Sequence, residues 1–142
     1  MRRAQRLRQV VNAVNLSTPL GLALASAGTR RTSGLTRAPG GLIVAGGYRL
    51  PLPAAHAFTV GDVVLFRGEP AELLERPRLL RHEGRHALQY ALFLGPVMIP
   101  LYLVCAGVSK AVCGDYASYN PFERLAGLDD GGYTRRAPRW RT

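Results

Sequence analysis

The string His82-Glu83-Gly-Arg-His86 brings two imidazoles and one carboxylate together within five residues. On a helix, residues four apart project from the same face, so His82 and His86 can bind one metal ion. Zinc takes nitrogen ligands in a tetrahedral site, and a catalytic zinc site keeps one position for water. Glu83 is then placed to act as general base on that water. The string predicts a zinc site for hydrolysis; the alternative is a helix whose two histidines are satisfied by hydrogen bonds.

Such a zinc site needs a third protein ligand. The candidates are Asp115 and Glu123 downstream and His56 upstream. We prefer Glu123, which lies 37 residues after the second histidine and near the start of a new helix. The same residue also fits a capping box, with Asn120 as N-cap and Glu123 at the third helical position. Glu123 is therefore predicted as a metal ligand, with a helix cap as the alternative.

Four further polar residues lie near these ligands in the sequence. Gln89 and Tyr90 follow His86 by three and four residues, so both continue the metal-binding face of the helix. Gln89 can orient a substrate or a ligand, or can simply line the packing seam. Tyr116 and Tyr119 are candidate phenol donors to an oxyanion, although packing as ordinary aromatic residues is the alternative.

Prolines and glycines mark the helices that must position these groups. The pattern predicts a short helix over 69–76 and a second over 77–94, which begins at Pro77, carries the HExxH string and ends at Gly95-Pro96. A third helix over 97–112 ends at Gly114. A last short helix begins in the string NPFERLAGL.

Residues 42–67 instead have the character of strands. The strings LIVA, YRLPLP, AFTV and VVLF are separated by short turns. Gly46-Gly47 and Gly61-Asp62 are two-residue connections typical of hairpins. Pro51 and Pro53 require the strand that contains them to end or to lie at an edge. We therefore expect a small antiparallel sheet of three or four short strands.

The whole chain of 142 residues is predicted to form one α+β domain. Residues 1–41 form a basic helical arm and linker: a helix over 2–14, a second helical region that begins near Pro19, and a linker over 28–41. Residues 42–142 form the β-hairpins followed by a zincin-like helical region with the HExxH helix.

A stretch without charged residues runs from 87 to 109, which is 23 residues. That length can cross a bilayer, but Gly95, Pro96 and Pro100 interrupt it. The second piece, 97–108, is only about 18 Å long as a helix, short of a ~30 Å hydrocarbon core. We expect a buried helical hairpin, or one that dips into a membrane face, rather than a membrane span.

Nineteen basic residues against nine acidic ones give a net charge of +10, and the first 61 residues contain no acid. Such charge attracts anionic lipid or nucleic acid. Nucleic acid is not favoured, because Trp140 is the only aromatic platform in the basic ends. The N-terminus resembles a signal peptide, but Asn12, Asn15 and Pro19 interrupt its apolar middle. We expect the protein in the cytoplasm or at the cytoplasmic face of the membrane, where an anionic surface is a candidate partner.

The chain resembles a group of small, uncharacterised bacterial proteins with HExxH-type, zinc-metallopeptidase-like features. The strings that carry the resemblance are NLSTPLG (15–21), AFTVGDVVL (57–65), HEGRHALQY (82–90), LGPVMIPLYL (94–103), NPFERLAG (120–127) and DDGGY (129–133). By similarity to HExxH peptidases, the resemblance implies His82, His86 and Glu123 as zinc ligands and Glu83 as the base. Gly84 departs from the pattern, which usually has a bulkier residue there.

The predicted function is therefore a zinc-dependent metallopeptidase that hydrolyses a peptide or protein substrate and associates with a membrane. Two alternatives stay open at this point. One is a non-catalytic, membrane-associated scaffold or interaction protein that retains the HExxH helix. The other is an arginine-rich protein that binds nucleic acid or anionic lipid and whose histidines are incidental.

Overall fold

A computed structural model describes residues 1–29, 34–53 and 55–141, which form an α+β structure. Its α-helices are α1 (Arg3–Val14), α2 (Ser17–Gly28), α3 (Pro70–Leu74), α4 (Pro77–Leu92), α5 (Met98–Cys113) and α6 (Pro121–Ala126). Its strands are β1 (Leu35–Ala38), β2 (Leu42–Ala45), β3 (Ala57–Val60) and β4 (Val63–Phe66). Short 3-10 helices cover Pro39–Gly41, Gly95–Val97 and Arg139–Arg141.

The four strands form one mixed sheet in the order β1-β2-β4-β3. The pairs β1/β2 and β3/β4 are antiparallel, but β2 and β4 are parallel. The expectation of a purely antiparallel sheet is therefore wrong for the central pair. The hairpin predicted at Gly61-Asp62 is confirmed, with Val60 opposite Val63.

The parallel pairing follows from the burial of β4. All four of its residues are buried, because Val63 and Leu65 pack in a cluster with α2 residues while Val64 and Phe66 pack with residues of α3 and α4. An uninterrupted apolar strand is typical of a position covered on both faces, where parallel pairing is common. The uninterrupted apolar run VVLF in the sequence therefore indicates a strand that is buried on both faces.

Two other predictions for this region are wrong. The hairpin at Gly46-Gly47 does not form, because the antiparallel partner of β2 is the preceding strand β1, reached through the turn Pro39–Gly41, and its other neighbour, β4, is parallel to it. Of the string YRLPLP, only Tyr48 pairs as a strand residue, in a single bridge to Thr29. The linker predicted over 28–41 contains β1, and its residues 30–33 lie outside the described part of the chain.

The basic helix predicted at the N-terminus is confirmed as α1, and a buried ion pair attaches it to the rest of the fold. Arg8 Nε donates to Asp62 Oδ1 at 2.7 Å, and both side chains are nearly fully buried. Asn12 Nδ2 donates to the same oxygen and to the carbonyl of Ala87 in α4. The arm therefore packs directly against the hairpin turn and the HExxH helix.

The helices that carry the motif agree with the sequence. α4 begins at Pro77 and packs against β3, and α5 ends at Gly114, whose φ of +91° is the left-handed conformation that glycine adopts readily. α4 buries polar and apolar residues along one side, and the polar ones are His82, Glu83, His86 and Gln89. The site is therefore built on the inward face of this helix.

α5 is mostly exposed, so a fully buried helical hairpin does not form, while a hairpin that dips into a membrane face stays a prediction. Gly95–Cys113 is one helical stretch long and apolar enough to cross a membrane, yet only 22% of its most apolar window is buried. Large apolar side chains of α5 are instead exposed, at Leu101, Leu103, Val104 and Val108. α1 and α2 are a second candidate as a bent pair, with 73° between them.

Candidate metal centre

Three side chains predicted as metal ligands meet in the interior. Nε2 of His82 lies 3.0 Å from Oε2 of Glu123, and Nε2 of His86 lies 3.4 Å from the same oxygen. The two Nε2 atoms are 3.1 Å apart. In a tetrahedral zinc site with bonds of 2.0–2.2 Å, neighbouring ligand atoms lie about 3.3 Å apart. The triangle formed by His82, His86 and Glu123 thus has the size that such a site requires.

The carbonyl behind His82 fixes which of its nitrogens carries the proton. Nδ1 of His82 lies 2.8 Å from the carbonyl oxygen of Gly127. A carbonyl can only accept, so Nδ1 holds a hydrogen, and Nε2 is the ring nitrogen that faces the cluster. This is the outer-shell arrangement that orients histidine ligands in metal sites.

His86 is held in the same way by a side chain. Its Nδ1 lies 2.8 Å from Oε1 of Gln89, and Nε2 of Gln89 donates to the carbonyl of Phe122 at 2.9 Å. The second bond fixes the amide, so its oxygen faces the imidazole and Nδ1 must donate. Gln89, predicted to orient a substrate or a ligand, lies behind His86 and orients this histidine.

Glu123 supplies the third predicted ligand atom, its carboxylate oxygen Oε2. Its Oε1 accepts a hydrogen bond of 2.5 Å from the Tyr102 hydroxyl. Its Oε2 is buried, and its neighbours are the Nε2 atoms of the two histidines. Two imidazole nitrogens and one carboxylate oxygen therefore face one point, where a cation, either a metal ion or a proton, neutralises the carboxylate.

In the metal-free protein a proton serves as this cation. Burial by itself lowers the pKa of His86, but the Glu123 carboxylate outweighs burial and raises it to about 9. Burial raises the pKa of Glu123, but the two histidines beside it outweigh burial and hold the pKa well below its usual range. The cluster therefore carries a negative carboxylate that attracts a cation.

Glu123 does not cap its own helix. The Asn120 side chain accepts from the amide of Phe122, and Pro121 follows it at the first helical position, as the sequence suggested. The amide of Asn120, which a capping-box glutamate would accept from, donates instead to the carbonyl of Ala117. The start of α6 thus aims the Glu123 carboxylate at the histidines.

A loop over 127–133 covers His82 from the other side. Arg78 and Arg85, one on each of two turns of α4, donate to the two carboxylate oxygens of Asp130 at 2.9 Å. A side chain at Gly131 would place its Cβ 2.6 Å from the His82 ring, so only glycine allows the loop to lie this close. The same loop lines a cavity of about 290 Å³ and brings Tyr133 to 6.0 Å from His82 between ring centroids.

Glu83, the predicted base, faces the sheet side of α4. Its Oε2 accepts a 2.6 Å hydrogen bond from the Thr59 hydroxyl on β3, and the side chain is buried. Its charge contributes to the raised pKa of His86 and, after burial, to the raised pKa of Tyr133. Glu83 is therefore close enough to both for its charge to act on them.

The other residues singled out from the sequence lie outside the cluster. Tyr116 is exposed and stacks with Lys110, and Tyr119 stacks with Arg124, so neither phenol faces the ligands. Asp115 accepts hydrogen bonds from the amides of its own turn, at Ala117 and Ser118. His56 is exposed and contacts Phe66.

Sequence reasoning missed three residues that shape the centre: Tyr102, Gly131 and Tyr133. Tyr102 belongs to an apolar run, where a tyrosine is an ordinary residue, and its role depends on where α5 passes α6. Gly131 and Tyr133 lie in the string DDGGY. The only signal there was a glycine pair beside an acidic pair, which predicts a turn but no partner.

The chain was compared with known proteins in three ways. The scan against protein-family models and the searches of curated proteins and of solved structures found no significant match. The resemblance to HExxH metallopeptidase-like proteins therefore stays an expectation.

Proposed function

We propose that the protein is a zinc-dependent hydrolase of peptide bonds. The observation that carries the proposal is the convergence of two histidine Nε2 atoms and one carboxylate oxygen on one buried point. The Nδ1 atom of each histidine and the other oxygen of Glu123 are held from behind by hydrogen bonds.

The donor set favours zinc among the divalent metals. The two imidazole nitrogens are borderline ligands and the carboxylate oxygen is a hard one, and catalytic zinc sites commonly have three protein ligands of these kinds. Hard cations such as Mg²⁺ and Ca²⁺ prefer oxygen ligands throughout. Zinc, when bound by His82, His86 and Glu123, lowers the pKa of a water molecule and polarises a carbonyl group.

Glu83 supplies the proton chemistry in this proposal. A carboxylate adjacent to the ligands takes the proton of the attacking water and passes it to the leaving amine. Thr59 holds one carboxylate oxygen of Glu83 and so leaves the other for the proton. Tyr133, whose phenol is kept protonated by burial, is the nearest half-buried donor to an oxyanion on the His82 side.

The elements around the centre support a zincin-like arrangement. β3 is one of the two edge strands of the sheet in the described residues, and α4 packs directly beneath it. An exposed strand edge can bind an extended peptide by main-chain hydrogen bonds. A peptide added to β3 would pass the residue that holds Glu83, because Thr59 belongs to this strand.

The test is cleavage of a fluorescence-quenched peptide library by zinc-loaded protein, with Glu83→Gln as the matched variant. Glutamine keeps the size of the side chain and its bond to Thr59 but cannot take a proton. We expect equal zinc content in both proteins and a fall in cleavage of about 10²–10⁴-fold in the variant. Cleavage that is equal in the two proteins would contradict the proposed role of Glu83.

A second candidate is a scaffold protein whose metal is structural. The observation that favours it is burial, since His82, His86 and Glu123 are only 2%, 6% and 3% exposed. A structural site needs no path for a substrate, whereas a catalytic site keeps one position open. This candidate predicts bound zinc, a marked fall in thermal stability on chelation, and no peptide cleavage by wild type or by Glu83→Gln.

A further inference from the structure

Two helix bends meet at one end of the molecule. The α1–α2 bend at residues 15–16 touches the α4–α5 bend at residues 94–95, because Nδ2 of Asn15 donates to the carbonyl of Tyr90 and a Cβ on Gly95 would lie 2.6 Å from the Asn15 side chain. Four helices therefore have an end in this region. We call the exposed apolar residues around the two bends the apolar tip: Val14, Leu16, Leu92, Leu94 and Val97.

Each bend places a leucine in a conformation that leucine rarely adopts. Leu16 has φ of +73° and Leu94 has φ of +61°, and both side chains point outward, 64% and 77% exposed. Left-handed backbone disfavours residues with bulky side chains, and Asn or Gly is the usual choice there. Each of these leucines therefore lowers the stability of the protein in water for two reasons: its backbone conformation is unfavourable, and its apolar side chain is exposed.

The apolar surface continues from the tip along the outer face of α5. Leu101, Leu103, Val104 and Val108 are exposed on this helix, and a side chain at Gly107 would meet nothing. No acidic residue occurs in residues 1–61 or 84–114, the stretches that contain the tip and α5. The face is thus both apolar and free of negative charge over its length.

The far end of α5 has a different composition. Lys110 lies over the Tyr116 ring, and Arg139 donates to the Lys110 carbonyl, which brings the exposed Trp140 to the same end. Exposed arginines also begin α1, at Arg2, Arg3 and Arg6. Tyrosine, tryptophan and basic side chains are the residues that collect at the interface between a bilayer and water.

We propose that the protein embeds its apolar tip and the outer face of α5 in one side of an anionic lipid bilayer, with the basic and aromatic end of α5 among the headgroups. The helical stretch Gly95–Cys113 is long enough to reach across a ~30 Å hydrocarbon core, but a membrane span also needs polar or charged side chains at both of its ends. The tip carries no charged anchor for the opposite interface. The insertion is therefore from one face, and it does not depend on a metal in the centre.

The test is flotation of the purified full chain with vesicles of phosphatidylcholine, with and without phosphatidylglycerol. The key variant combines Leu16→Asn and Leu94→Asn, because asparagine suits the left-handed backbone better than leucine but removes the apolar side chain. We expect the double variant to partition at least about tenfold more weakly into vesicles, while its melting temperature stays equal or rises.

Leu52→Asn is the matched control, since Leu52 is also a highly exposed leucine but follows the sheet region near Tyr48, at the other end of α2 from the tip. This control should float like wild type, and wild type should float better with phosphatidylglycerol. Wild type that stays in the aqueous fraction, or a double variant that floats as well as wild type, would overturn the proposal. A wild-type dimer that the double variant splits, without vesicle binding, would assign the face to a second copy of the chain instead.

Discussion

α4 and α5 have the same length, 16 residues, but they place their side chains in opposite ways. α4 buries four polar residues, His82, Glu83, His86 and Gln89, and keeps arginines outside. α5 buries few residues and exposes leucines and valines along most of its outer face. The two helices meet through Glu123 of α6, because the Tyr102 hydroxyl of α5 donates to its Oε1 and the histidines of α4 lie beside its Oε2.

Both helices depart from the usual pattern, in which polar side chains are exposed and apolar ones are buried, and each departure needs its own physical reason. Buried polar groups of α4 are stable because each finds a partner. Among the buried polar atoms without a hydrogen-bond partner, which also include Asn12 Oδ1 and Asn120 Nδ2, Oε2 of Glu123 is the one that lies beside both histidines. Large apolar side chains of α5 are instead exposed among the described residues. The polar face of α4 is the basis of the proposed metal centre, and the apolar face of α5 is the basis of the proposed contact with a lipid bilayer.

The largest expected effect comes from removing the carboxylate that faces the two buried histidines. In Glu123→Gln the side chain keeps its volume and can still accept from Tyr102, but the negative oxygen is lost. We expect zinc affinity to fall far more than the 10–100-fold that is typical of outer-shell changes. Zinc content by mass spectrometry of the native protein measures this, with circular dichroism to show that the fold is kept. Full zinc binding by Glu123→Gln would show that the histidines alone hold the ion.

A smaller effect is expected from the outer-shell phenol on α5. Tyr102→Phe removes the hydrogen bond to Oε1 of Glu123 without changing the ring. We expect zinc affinity to fall by about 10–100-fold, measured by competition with a chromophoric chelator. Tyr116→Phe is the control, because the Tyr116 ring only stacks with Lys110. An unchanged zinc affinity in Tyr102→Phe would show that this hydrogen bond from α5 does not support Glu123 as a ligand.

Substitution of Gly131, the loop glycine that lies against His82, should lower zinc affinity by about tenfold. Gly131→Ala inserts a Cβ 2.6 Å from the imidazole, and overpacking of this kind costs about 1–3 kcal/mol. We expect weaker zinc binding, because the ring must turn away from Gly127 and from the cluster. Gly107→Ala on the exposed side of α5 meets no atom and should leave zinc binding as it is. Equal affinities in the two variants would show that the loop does not press on the ligand.

The smallest effect is a gain in stability within the HExxH string. A Cβ at Gly84 would contact only Leu42 Cδ1, at an ordinary 3.6 Å. Alanine is better than glycine inside a helix by about 1 kcal/mol. We therefore expect Gly84→Ala to raise the free energy of unfolding by up to that amount, in denaturant titrations, and to leave zinc affinity unchanged. Destabilisation by Gly84→Ala would mean that α4 depends on a close approach at this position.

The sequence predicted those features that depend on local spacing. The helix boundaries at Pro77 and Gly114, the turn at Gly61-Asp62 and the shared face of His82 and His86 all follow from a few neighbouring residues. Glu123 was predicted from the need for a third ligand, and the structure brings it to the histidines. Its role as a ligand stays a prediction until a metal is measured.

The features that the sequence did not predict depend on distant contacts. The parallel pairing of β2 with β4 requires the hairpin β1/β2 to meet the hairpin β3/β4. Gly46-Gly47 has the sequence of a hairpin turn but does not form one. The place of Tyr102 depends on the crossing of α5 and α6. Exposure of α5 is invisible to hydropathy, because an apolar helix has the same composition in a core and against lipid.

The most direct test of the central claim is X-ray absorption at the zinc edge on the purified, zinc-loaded protein. We expect about one zinc per chain, with four ligand atoms at about 2.0–2.2 Å from the ion. The spectrum should also contain the more distant scattering of two imidazole rings. The same measurement on Glu123→Gln should lose this signature. A spectrum without imidazole scattering, or a protein that takes up no zinc, would contradict the claim that His82, His86 and Glu123 form a metal centre.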